Sequence, residues 1–163
     1  MSHPTGYTRT QIRLHWIVVL LIALQYILHD TISEAWEAWL DGAEAGFDPL
    51  IAQHVLMGGL VAVLVVWRLA LRLTHGAPPP PENEHPALKL AAHVTHWAIY
   101  ALMLLLPVSG GVAWFGGVEA AAEAHEVMKT LLLLLIVLHV AAALVHQFIF
   151  KTNLMARMKR PVG

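Results

Sequence analysis

The chain has no cysteine at any of its 163 positions, which removes disulfides, iron–sulfur clusters and thiol chemistry together. Charge is scarce as well: 13% of residues are Asp, Glu, Lys or Arg, against about 25% in an ordinary soluble domain. A net charge of −1 offers nothing to a polyanion, so no nucleic-acid partner is expected. What fills the chain instead is apolar. Hydrophobic residues make up 58%, gathered into four long runs with almost no charge, the pattern of helices that span a membrane and face its lipid. The first run is too long for the core of a cleavable signal peptide, and a histidine sits at its start.

The spans are expected at about residues 11–29, 51–72, 88–115 and 124–150. They form an all-α, four-transmembrane-helix bundle that occupies residues 1–163 as a single domain. Four consecutive prolines, Pro78 to Pro81, cannot continue a helix and form a stiff connector between spans two and three. Residues 30–50 carry Trp36, Trp39 and Phe47 among acids, which predicts a short interfacial helix. With four spans the two termini and the middle connector share one side. That side holds Arg9, Arg13, Arg68, Arg72, Lys89, Lys151, Arg157, Lys159 and Arg160, nine of the ten basic residues, so both termini are expected to be cytoplasmic. The other side holds Asp30, Glu34, Glu37, Asp41, Glu44, Asp48, Glu119, Glu123 and Glu126 against Lys129 alone.

Eleven histidines in so apolar a chain need an account. His3, His29, His75 and His85 fall in tails, connectors or span ends and read as solvated. His15, His54, His93, His96, His125, His139 and His146 lie within the spans or at their mouths, where an ionisable side chain is costly and marks function. Zinc and di-iron sites in bundles combine histidine with carboxylate or thiolate, and proton relays also recruit carboxylates. No Asp or Glu lies in mid-span. Haem iron needs only two axial imidazoles and an apolar wall.

Spacing predicts two such sites. His125 and His139 are fourteen residues apart, about 40° around a helix axis and roughly 21 Å along it, one near each surface. His54 can meet His125 at the outer end, while His15 faces the inner end. Gly58, Gly59, Gly110 and Gly111 suit either a flat macrocycle or close helix packing. The inner partner of His15 stays open among His93, His96, His139 and His146. Depth favours His146; the shorter separation of the two irons favours His139.

The chain resembles the bacterial cytochrome b561 family of small four-helix dihaem cytochromes, which includes superoxide oxidase. The matching segments are Tyr7 to Trp16, His54-Val55, Val66 to Arg72, Ala92 to His96, Leu106 to Gly110, His125-Glu126 and Leu138 to His146. The resemblance implies a multi-pass protein of the bacterial inner membrane that binds two haem b, with His15, His54, His125 and His139 as axial ligands. It also implies a ubiquinone site near the inner haem, for which Arg9, Arg13 and His146 are candidates. An imidazole there suits proton transfer to reduced quinone, and bonding a haem propionate is its other reading. Arg68 and Arg72 suit propionates through charge-assisted bonds, or anchor the inner surface by snorkelling.

The expected function is an oxidoreductase that accepts electrons at the outer haem and reduces ubiquinone, with superoxide or a periplasmic redox donor supplying them. The acidic outer face repels a small anion and suits a basic donor better. An electron-carrier subunit joining a partner dehydrogenase or hydrogenase to the quinone pool is the second expectation. A bundle that binds or carries a metal ion without redox chemistry is the third.

Overall fold

A computed structural model describes residues 4–43, 47–81 and 84–162. His3 and Glu44, which entered the reading of the tails and the acidic face, lie outside them. Five α-helices run in order: α1 Arg9–Ile27, α2 Asp30–Leu40, α3 Pro49–His75, α4 Pro86–Gly116 and α5 Glu119–Phe148, followed by a short 3₁₀ turn at Leu154–Met158. Four of them, α1, α3, α4 and α5, are long and apolar enough to cross a membrane. The residues 30–50 segment does form a short helix, α2.

Each helix starts where the local chemistry supplies a cap. Thr8 and Gln11 cap α1 reciprocally: the Gln11 amide donates to Thr8 Oγ1 at 3.3 Å, and the Thr8 amide donates to Gln11 Oε1 at 3.0 Å. Asp48 accepts from the Leu50 amide at 2.7 Å, with Pro49 as the first residue of α3. His85, exposed as its position in the connector implies, also caps α4 by accepting from the Ala87 amide, again with proline next. α5 begins at Glu119, several residues before the expected 124. Its first two turns, with Glu119, Glu123 and Glu126 among alanines, precede the strongly apolar run, which hydropathy alone detects.

The long helices pack as α1 against α3, α3 against α4, and α4 against α5. Midway along them Val18, Val61, Val65, Tyr100, Met103 and Leu132 form a buried core drawn from all four. Outward-facing leucines, valines and tryptophans are exposed in large number, as lipid-facing surface should be.

The two ends of the bundle are built differently. At the terminal end the N-terminus, the proline connector and the C-terminal segment lie together. Gln11 Nε2 donates to the Gly76 carbonyl at 3.2 Å, tying the start of α1 to the end of α3. The Val162 amide donates to the Tyr7 carbonyl at 3.1 Å. Arg157 Nη1 donates to the Pro79 carbonyl at 2.7 Å, and Trp16 Nε1 to the Met158 carbonyl at 2.9 Å. At the other end α2 lies beside α3. Trp36 and Trp39 stack with ring centroids 5.1 Å apart, and Trp39 rests against Gly117, whose φ of +65° and absent Cβ make the α4–α5 turn possible.

Candidate functional site

At the α2 end a cleft opens between α1, α3, α4 and α5. Apolar side chains, among them Ile22, Val61, Met103 and Leu132, form most of its wall. His54 from α3 and His125 from α5 face each other across it with ring centroids 6.5 Å apart. Two metal–imidazole bonds of about 2 Å, each extended by a ring half-width of about 1 Å, would set centroids roughly 6 Å apart. The observed separation leaves room for one metal atom between the rings.

The ring of His125 is held for that purpose. Its Nδ1 is 3.0 Å from the Leu106 carbonyl. A carbonyl offers only lone pairs, so the proton sits on Nδ1 and Nε2 keeps its lone pair free, the tautomer a metal ligand requires. Ser109, whose hydroxyl donates to the same carbonyl at 3.0 Å, lies 3.1 Å from Nδ1. A Cβ on Gly110 would come within 3.1 Å of the His125 ring, so this glycine makes way for the imidazole. Gly58 lines the cleft, whereas Gly59 and Gly111 face open space. The four glycines therefore serve different ends.

His54 is positioned through its backbone. Gln25 Nε2, from α1, donates to the His54 carbonyl at 2.9 Å, and Gln53 supports Gln25 at 3.3 Å. His54 Nδ1 and, at the other end, His15 Nδ1 are buried with no hydrogen-bond partner among the described residues. Unpartnered imidazole nitrogens in an apolar wall fit a group that brings its own metal. Among the described residues no three His, Asp or Glu side chains converge on one point, as a metal held by protein alone would need. The donor set and the apolar walls fit haem.

Sequence reasoning missed His29. It was read as a solvated residue, yet it lines the cleft and its ring lies 6.3 Å from that of His54. Lys129 Nζ contacts His29 Nε2 and also donates to Glu126 Oε2 at 2.5 Å; Glu126 Oε1 is 3.5 Å from His29 Nε2. A signal was present: His29 follows His15 by the same fourteen-residue step that separates His125 from His139.

At the terminal end the imidazoles are crowded. His139 meets His96 edge to face at 5.2 Å, and the His96 ring is itself held by its Nδ1 on the Ala92 carbonyl at 2.7 Å. His15 stands edge-on to Trp16 at 5.2 Å. His93 packs on Trp97 instead. Arg68 lies over the Tyr100 ring, 5.8 Å from its centroid. Burial pushes the Tyr7 hydroxyl's pKa up, against the opposing pull of the positive charges of Arg72, Arg157 and Arg68. Arg9 and Arg13 are exposed on the first turns of α1. His146 is engaged by Thr152 and Glu84.

The model of prokaryotic cytochrome b561 matches residues 6–161. A cytochrome b562 of Cereibacter sphaeroides is 36% identical, covering 99% of both chains. A probable superoxide oxidase, CybB, of Yersinia pestis is 29% identical, covering 93% of this chain and 94% of that one. Cytochrome b561 homolog 1 of Escherichia coli is 28% identical over 93% and 96%.

Proposed function

The chain belongs to the prokaryotic cytochrome b561 family, membrane electron carriers with b-type haem, and from that premise we propose that it acts as one transmembrane domain that carries electrons across the bacterial inner membrane to ubiquinone. The observation that carries this reading is the placement of His54 and His125 face to face across an apolar cleft, one metal atom's width apart. Bound haem supplies one-electron oxidation and reduction; the residues decide where it sits and what reaches it.

In this reading two haem b are held, one by His54 and His125 and one by His15 and His139, with the core around Val65 between them. The positive-inside rule places the terminal end in the cytoplasm. Arg68 and Arg72 neutralise the propionates of the inner haem, and the basic, capped terminal end receives ubiquinone near Arg9, Arg13 and His146. With superoxide as donor the sum is two superoxide, one ubiquinone and two protons giving two dioxygen and one ubiquinol. The likeness to the Yersinia pestis protein supports this donor.

A second reading has a specific observation behind it. Lys129, the basic residue expected on the outer side, is bound to Glu126 and His29, so its charge is already compensated where an incoming anion would need it. A basic redox protein suits that acidic face, and the chain then serves as the cytochrome subunit linking a dehydrogenase or hydrogenase to the quinone pool.

The test uses purified, oxidised protein with ubiquinone and a steady source of superoxide. Reduced haem bands and ubiquinol are expected. Haems that stay oxidised would exclude superoxide and leave the protein donor; a preparation without a Soret band would overturn the haem reading itself.

A further inference from the structure

We propose that Glu84 is the proton source for His146 at the quinone-reducing end, a role that rests on the quinone reading above. Glu84 sits in the connector between α3 and α4, yet its side chain is only 9% exposed. A carboxylate that leaves water needs a partner. Its Oε2 lies 3.5 Å from Nε2 of His146, itself 15% exposed in the last turn of α5.

The other nitrogen of His146 is committed. Nδ1 is 3.1 Å from Thr152 Oγ1, and that hydroxyl donates its proton to the His146 carbonyl at 3.3 Å. Nδ1 is thereby engaged within its own turn. Lys151 and Asn153, on either side of Thr152, adopt φ of +53° and +54°, a conformation L-residues avoid. The turn holds that unfavourable geometry while keeping Thr152 beneath the ring. With Nδ1 engaged by Thr152, Nε2 is the nitrogen left for proton exchange, and it faces Glu84.

Two features hold the carboxylate in position. The Glu84 amide donates to the Pro81 carbonyl at 3.1 Å, at the end of the rigid proline run, and Arg157 clamps that run at Pro79. A separation of 3.5 Å is too long for a good direct hydrogen bond. Nε2–H can consequently be shared with a second acceptor, the place assigned to a quinone oxygen.

The step balances as follows. Ubiquinone gains two electrons and two protons to become ubiquinol. His146 Nε2 gives one proton to the quinone oxygen it faces; the Glu84 carboxylate then takes a proton from cytoplasmic water and passes it to Nε2, while the opposite quinone oxygen takes its proton from water. Glu84 does not touch the quinone and acts through His146.

The experiment follows reoxidation of the pre-reduced holoprotein by a short-chain ubiquinone in stopped flow. Glu84→Gln keeps an acceptor oxygen beside His146 but cannot carry a proton. It should slow reoxidation about 10-fold or more, with haem content, spectra and KM for quinone unchanged. Formate, a small diffusible acid, should restore much of the rate, and Glu84→Asp should retain most of it. His146→Gln should be equally slow, and the double variant no slower than either single one. Wild-type rates in Glu84→Gln would overturn the proposal, as would a slow variant that formate does not rescue. Failure of the wild-type protein to reduce the quinone would instead overturn the quinone reading and this proposal with it.

Discussion

At the α2 end, two imidazoles face each other across an apolar cleft, 6.5 Å apart, one fixed by the Leu106 carbonyl and the other through Gln25. At the terminal end, His139 touches His96 at 5.2 Å, while His15 presents a buried nitrogen with no partner. One end is pre-organised around a gap; the other offers more imidazoles than a single haem needs. The difference bears on the proposed ligands. At the α2 end the backbone orients a ring and a glycine clears its path, so one pair of imidazoles stands out. At the terminal end several rings converge, and packing alone singles out no pair.

Replacing the ligands tests this contrast most strongly. On the proposed two-haem reading, His125→Ala should lose one haem and leave one, measured by haem-to-protein ratio; unchanged haem content would break the outer pairing. His139→Ala should likewise lose one haem, whereas His96→Ala should keep both and shift only the inner haem's spectrum. The opposite result would make His96 the inner ligand.

A smaller effect is expected next to the ring. Gly110→Ala places a Cβ 3.1 Å from His125, forcing the imidazole to move at a cost of about 1–3 kcal/mol. Partial loss of the outer haem or a shift in its midpoint potential should follow. Gly111→Ala meets nothing within 4 Å and should leave both haems intact, which separates crowding from any general intolerance of alanine in α4. Gln25→Ala removes one hydrogen bond to the His54 carbonyl, worth about 1 kcal/mol. It should lower the thermal midpoint slightly and weaken outer haem retention without abolishing it.

Much of this architecture was legible in the chain because the membrane imposes simple demands. A helix must cross about 30 Å of hydrocarbon, so apolar run length locates α1, α3, α4 and α5. The caps at Thr8, Asp48 and His85 then adjust their starts. The partnership of His54 and His125 was legible too, since entry side and depth follow from span order. His29 and Glu84 escaped. His29 closes the first run and Glu84 lies in the connector between α3 and α4, places where a polar residue reads as solvated unless its partners are known. Those partners, Lys129 and His146, are 100 and 62 residues away in the chain.

The sequence by itself determined that this is a four-span bundle with basic termini on one side and imidazoles at two depths, because hydropathy and helical period are local properties. Only the tertiary structure decided which nitrogen of His125 is free, which glycine makes room for it, that Lys129 is already paired, and that Glu84 is buried against His146. Each depends on atoms brought together by packing between helices, and no local rule of composition or period specifies those contacts.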